Sequence, residues 1–242
     1  MRGRGSAFRM GSGEGCALAP GPTLLPSGAT TVENALRLAD QRMHDHNRPS
    51  ALSRQSTDVL LAALGERSPN LHDHLGNVAE LAEAVSRGHG LSEIDVGWIR
   101  LAAELHDVGK LAIPDEILNK PGPLSDDEWT FMQRHAEIGE HIILSAPSLA
   151  PAAQLVRSSH ERHDGTGYPD GLRADEVAIG AKIIAICDAY DAMVNDRVYR
   201  TAMSQPEALA ELRRCAGTQF DPAIAELTCS IIEQRHDFRV TR

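Results

Sequence analysis

Aromatic residues make up only 4% of this 242-residue chain. Leucine, isoleucine, valine and alanine must therefore build most of the core, which suits packed helices. Cysteine is also scarce: Cys16, Cys187, Cys215 and Cys229 form no C-x-x-C pair. That points to a reduced cytoplasmic protein with ordinary buried thiols rather than a disulfide framework. No apolar run reaches transmembrane length. Arg2, Arg4 and Arg9 lie near the start, but no sustained apolar stretch follows, so a signal peptide is not expected. Basic residues are outnumbered, 24 Lys and Arg against 34 Asp and Glu, for a net charge of −10. This argues against a nucleic-acid polymer or a basic membrane patch as partner. A small anionic substrate stays open, because local cations or metals override the global field. There is no alternating strand run, no internal repeat and no phosphate-cradling P-loop.

What remains is a globular composition, 42% hydrophobic and 24% charged. Residues 1–30 are rich in Gly, Pro, Ser and Ala and read as disordered or a remnant. A helix fits Thr31–Met43, followed by a polar linker, Asn47–Ser56, containing Pro49. From residue 57 to 242 helical periodicity dominates, with helices expected at Asp58–Leu64, Leu71–Ser86, Asp95–Asp107, Ser125–Leu144, Pro151–Arg162, Glu176–Met193, Pro206–Cys215 and Pro222–Gln234. Ser125 and Glu128 form a capping box, and Gly109 fits a C-terminal stop after Asp107. The expected fold is an all-α bundle with long functional loops.

Six polar residues fall next to apolar stripes. His74 precedes Val78, Leu81 and Val85; His106 and Asp107 follow Ile99, Ala102 and Ala103. His135 precedes Ile138 and Ile142, His160 follows Val156 and Ala153, and Asp188 follows Ile184 and Ala181. A single histidine of this kind is more often a satisfied core residue than a ligand. Six converging from separate helices are far harder to arrange without a metal, and helix bundles build metal sites from such inward side chains. Imidazole and carboxylate together suit Fe, Mn or Zn. His44, His46, His72, His89, His141, His163 and His236 read as surface or loop residues.

An ordered series of motifs accompanies these residues: His106-Asp107-Val108-Gly109-Lys110, Ile113-Pro114-Asp115, Lys120-Pro121-Gly122, then Met132, His135 and Gly139. His160-Glu161-Arg162-His163-Asp164-Gly165-Thr166-Gly167-Tyr168-Pro169 follows, with Asp188, Asp191-Ala192, Arg197, Tyr199-Arg200 and Gly217 to Pro222 completing the set. From about Leu71 to Pro222 the chain resembles the HD-GYP subgroup of the HD-domain phosphohydrolases. The resemblance implies an HD-domain helical bundle, two divalent metal ions (Fe or Mn), and hydrolysis of cyclic di-GMP to the linear dinucleotide or GMP in bacterial second-messenger signalling. It implies His74, His106, Asp107, His135, His160 and Asp188 as ligands, with Asp107 the bridge. Metals so held lower the pKa of water and neutralise phosphoryl charge. Lys110 is expected at the scissile phosphate, although a cation complementing the helix dipole is an equal reading. Asp164, Gly165, Gly167, Tyr168 and Pro169 are expected to bend a loop near the substrate, where an ordinary turn is the plainer alternative. Arg197 and Arg200 are expected to grip the second phosphate or a guanine edge, with a solvated face the alternative.

The chain departs from the family pattern at Ser159, where a second histidine usually stands. A water is expected to fill that position, with the second metal held more weakly. Asn70 stands where some members have a glutamate for a third metal, so two metals are expected, not three. Asn77 replaces a common arginine and is assigned no role. Leu24 to Arg48 resembles the end of a GGDEF domain without its nucleotide-binding residues. GGDEF or other signalling domains are thus possible partners. Rival readings are an impaired module that binds cyclic di-GMP or proteins, and an HD phosphohydrolase for another nucleotide.

Overall fold

The protein is described by a computed structural model covering residues 48–67, 71–196 and 201–240. The expected helix Thr31–Met43, the GGDEF-like segment as far as residue 47, His44, His46 and Asn70 lie outside the described residues, as do Arg197, Tyr199 and Arg200. So do the side chains of His72 and His236. Among the described residues there is no β-strand. The described residues form ten α-helices in order: α1 (Ala51–Arg67), α2 (Leu71–Gly88), α3 (Glu93–Leu105), α4 (Asp115–Leu118), α5 (Asp126–Gln133), α6 (His135–Leu144), α7 (Ala150–Arg157), α8 (Ile179–Val194), α9 (Gln205–Arg214) and α10 (Pro222–Val240). Short 3-10 turns occupy Val108–Ala112, Pro147–Leu149 and Ala174–Glu176.

The core forms where the expected stripes meet. Val78, Ala82 and Val85 of α2 and Leu101, Ala102 and Leu105 of α3 are fully buried. They pack with Ile183, Ile184 and Cys187 of α8 and with Val156 of α7 in one apolar cluster. At about 25 cal/mol per Å² of apolar surface removed from water, this cluster supplies the main drive for holding α2, α3 and α8 together. Ser92 caps α3 by accepting from the Asp95 N–H, 3.2 Å. The Ser125–Glu128 capping box on α5 is formed in both directions.

Several boundaries differ from the sequence reading. The expected linker Asn47–Ser56 is already helix from Ala51. Ser53 Oγ donates to the Ser148 carbonyl (2.7 Å), and Arg67 donates to the Leu111 and Ile113 carbonyls. Tertiary partners thus recruit a segment whose polarity suggested a linker. The expected helix Ser125–Leu144 divides at Arg134, whose N–H bonds back to Phe131 (3.1 Å). There the Met132 carbonyl accepts the His135 imidazole (2.8 Å), a side chain entering the helix ladder. The helix expected over Pro151–Arg162 ends at Arg157, that over Asp95–Asp107 ends at Leu105, and the one expected from Glu176 begins at Ile179. Gly109 does not act as a left-handed stop. A Cβ there would lie 1.9 Å from the His135 carbonyl oxygen and 2.7 Å from the Gly139 nitrogen. It is glycine because α6 crosses directly over it.

Candidate metal centre

The six expected ligands do converge, but from three helices and two turns. His74 lies on α2, Asp188 on α8, and His135 is the first residue of α6. His106 and Asp107 occupy the turn leaving α3, and His160 the turn after α7. The expectation of one ligand per helix is corrected for these three: turns at helix ends can aim side chains from several directions at one point, which parallel helix faces cannot.

Two groups of donors share one residue. His74, His106 and Asp107 form the first, and Asp107, His135 and His160 the second, with the ligand atoms of each within 4.8 Å of one another. The Asp188 carboxylate lies 3.2 Å from His74 Nε2 and 3.8 Å from His106 Nε2. Asp107 Oδ2 is 3.7 Å from His106 Nε2, and its Oδ1 is 3.5 Å from His135 Nε2. His135 Nε2 and His160 Nε2 are 2.8 Å apart.

The hydrogen bonds around the rings decide which nitrogen faces inward. His106 Nδ1 donates to the Ala103 carbonyl and His135 Nδ1 to that of Met132, both 2.8 Å. Each ring then turns its Nε2 toward the centre. His106 Nε2 and Asp107 Oδ1 are buried with no hydrogen-bond partner. His106 Nε2 belongs to the first group, and Asp107 Oδ1 lies beside His135 of the second. A buried carboxylate oxygen and a buried ring nitrogen left unpartnered are costly unless a cation lies beside each. The residues present therefore fit a divalent metal at both groups.

The electrostatics agree for Asp107, His135 and His160. Burial works against ionisation of Asp107, but Lys110 first, then His106, His135 and His160, hold its carboxyl well below the usual range. Burial, with neighbouring His135, pushes His160 down to about 3, so the ring is neutral. Burial likewise lowers His135. For His74 burial is outweighed by hydrogen bonds to Asp188 and Asp191, which raise it to about 9.

Lys110 Nζ sits 2.6 Å from Asp107 Oδ2, in the 3-10 turn rather than at a helix end, so its charge faces the cluster. Ser159 is buried, and its hydroxyl donates to the Val156 carbonyl (2.8 Å), turned back to the main chain. Tyr168 stacks on His160, ring centroids 5.0 Å apart and planes at 19°. The Tyr168–Pro169 peptide is cis, and Gly165 adopts φ +76°. Gly167 is needed for close approach, since a Cβ would lie 2.4 Å from the Arg162 nitrogen. Asp164 does not reach the ligand cluster; Arg162 and Thr166 occupy its carboxylate. His89 and His141 are exposed as expected, whereas His163 is half-buried, 4.0 Å from Asp221.

Two residues of the site carried no assigned role in the sequence reading. Asp191 is buried and accepts from His74 Nδ1 at 2.5 Å, which aims His74 Nε2 at the centre. The signal was available: Asp191 follows Asp188 by three residues on the same helix face. Glu161 is buried, and its carboxylate accepts three main-chain N–H groups, from Asp170 (2.7 Å), Gly171 (3.1 Å) and Leu172 (3.0 Å). It ties down the far end of the loop that carries Tyr168. Asp191→Ala is expected to weaken metal affinity about 10- to 100-fold, the usual cost of losing an outer partner of a ligating histidine. Titration of the metal-free protein with Mn²⁺ measures this directly.

A cleft of about 340 Å³ opens on the cluster, lined by His160, Asp188, Ser159, Tyr168, Arg162 and Trp129 among others. Among the described residues no helix is long and apolar enough to cross a membrane.

The chain is 36% identical over 192 residues to the cyclic di-GMP phosphodiesterase response regulator RpfG of Xanthomonas campestris, covering 78% of this chain and 51% of that protein. It is 38% identical over 162 residues to a cyclic di-GMP phosphodiesterase of Thermotoga maritima (66% and 44% covered). It is 37% identical over 170 residues to the 3'3'-cGAMP-specific phosphodiesterase 2 of Vibrio cholerae (69% and 33% covered). The chain thus spans about half or less of the length of these curated relatives. The fold resembles that of the HD domain of the L. monocytogenes phosphodiesterase PgpH in complex with cyclic-di-AMP (TM-score 0.54, 18% identity, 76% of this chain and 97% of that one). It also resembles Bd1817, an HDG"Y"P protein from Bdellovibrio bacteriovorus (TM-score 0.55, 18% identity, 67% and 52% covered). A model of the HD domain matches residues 32–224, most of the sequence. This protein belongs to the HD-domain family and carries its HD-GYP signature.

Proposed function

We propose that this chain is a metal-dependent phosphodiesterase that hydrolyses cyclic di-GMP to the linear dinucleotide, GMP or both, in the cytoplasm. GGDEF or other signalling domains are its proposed partners. The observation that carries this reading is the pair of donor groups joined by Asp107, with two buried ligand atoms otherwise unpartnered. The names of the relatives support the substrate class. One ion for each group, Fe or Mn as the family resemblance implies, would lower the pKa of water and neutralise charge on the phosphoryl oxygens.

The residues divide the remaining work. Asp107 gives one carboxylate oxygen to each side of the cluster. His74, His106, His135 and His160 supply ring nitrogens, His74 once it gives up its proton, and Asp188 supplies the second anion. Lys110 places a positive charge beside the cluster for an incoming phosphate. Tyr168 fixes the plane of the His160 ring, and Glu161 fixes the loop that carries Tyr168. Arg197 and Arg200, outside the described residues, are kept as proposed grips on the second phosphate or a guanine edge.

Ser159 favours a weaker second site, because its hydroxyl is committed to Val156 and leaves that group three donors. This is the observation behind the alternative of a binding module with impaired turnover. Anaerobic purification with metal quantification, followed by assays on cyclic di-GMP, cyclic GMP-AMP and cyclic di-AMP, separates the readings. One metal per group and turnover lost on chelation support the enzyme. Sub-stoichiometric metal and no turnover with added Mn²⁺ or Fe²⁺ select the binding module. Cleavage of mononucleotides alone would overturn the proposal.

A further inference from the structure

Trp129 stands out in a chain with so few aromatic residues. It is one of two tryptophans, and it is 48% exposed, whereas Trp98 packs against the core. Among the exposed large apolar side chains, Leu52, Val59, Trp129 and Leu144, it is the one that lines the cleft with His160 and Asp188. A large indole left half in water contributes little to folding. Here it lies on the wall of a cavity whose volume falls within the range of small-ligand sites, about 300–1,000 Å³.

Its neighbours specify what it can hold. Tyr168 meets it edge to face, ring centroids 6.2 Å apart and planes at 84°. That geometry leaves at least one face of the indole uncovered, while one face of Tyr168 is taken by His160. Gln133 lies four residues further along α5, on the same helix face, and also lines the cleft. Gln219 lines it as well. A flat apolar face flanked by amide donors and acceptors matches a nucleobase, with a π-face to stack and an edge to hydrogen-bond.

We propose that Trp129 is a stacking platform for one nucleobase of the substrate, with Gln133 beside it facing the base edge. This deepens the phosphodiesterase reading and rests on it for the identity of the nucleotide. It makes Trp129 a binding residue that acts through affinity, not through the reacting atoms.

Two measurements test it. Trp129→Ala is expected to raise the KM for cyclic di-GMP about tenfold or more, the size of losing one base–aromatic stack, with kcat less affected. Trp129→Phe, which keeps a π-face, is expected to recover most of the loss. Independently of turnover, titration of the metal-loaded protein with cyclic di-GMP should quench its tryptophan fluorescence. The quench should vanish in Trp129→Phe, where Trp98 alone remains. A KM for Trp129→Ala within about twofold of the parent, or a quench that persists in Trp129→Phe, overturns the platform. A protein that quenches but does not hydrolyse keeps the platform and loses the enzymatic reading. One that hydrolyses without a quench loses the platform alone.

Discussion

Asp107→Ala is expected to abolish stoichiometric metal binding and to lower turnover of cyclic di-GMP by more than about 100-fold, beyond the upper end for losing a mere outer-shell partner. The reason is its position: Asp107 belongs to both donor groups, so its loss damages both at once. Removing any one histidine touches one group only. The variant should nevertheless fold. Burying a carboxylate is unfavourable in itself, and Lys110, with a quarter of its side chain exposed, can turn to water when its partner is gone. Metal analysis alongside circular dichroism checks both halves of the expectation. Full metal content in a folded Asp107→Ala protein would overturn the shared role.

Gly109→Ala is expected to have a large effect for a different reason. The new methyl would have to occupy the space of the His135 carbonyl and approach the Gly139 nitrogen, both main-chain atoms of α6. Backbone cannot rotate away as a side-chain tip can, so α6 must shift. Overpacking of this kind costs about 1–3 kcal/mol, occasionally more. For a domain of this size each kcal/mol lowers Tm by roughly 2–4 °C. Because His135 opens α6, the same shift should pull its imidazole off the cluster and reduce metal content. Gly76→Ala is the contrasting case. Gly76 is an exposed position within α2 where a Cβ meets nothing, so alanine there should stabilise by about 0.5–1 kcal/mol. Thermal melts of the two variants should move in opposite directions.

The two cases show how unevenly the site could be read in advance. His74 and Asp188 were legible from periodicity because each sits inside a long helix, in line with buried Val78 and Val85 or with Ile184. His106 and Asp107 were legible as a doublet, yet the helix ends before both. Periodicity puts His160 on a helix that in fact stops three residues earlier, at Arg157. Periodicity cannot locate a helix end when no proline, glycine or cap marks it, and none marks these. Gly109 looked like a terminator, and its requirement turned out to lie with a helix crossing from some thirty residues away. Glu161 could not have been read at all: its partners are the N–H groups of residues nine to eleven positions later, and no pattern of residue types announces that contact.

Composition and spacing by themselves determined the class of this protein. Little aromatic content, apolar stripes at helical period and an ordered set of histidines and aspartates suffice for an all-α bundle with candidate metal ligands. Those properties are local, and helical propensity and amphipathicity act over one or two turns. The tertiary structure alone decided what the ligands do together. It made Asp107 common to two groups, chose the inward nitrogens of His106 and His135 by giving their outer ones to carbonyls, and set Asp191 behind His74. It also turned Ser159 away toward Val156 and left Trp129 open on the cleft. These outcomes depend on distances between segments far apart in the chain, which are fixed only when α2, α3, α6 and α8 close around one core.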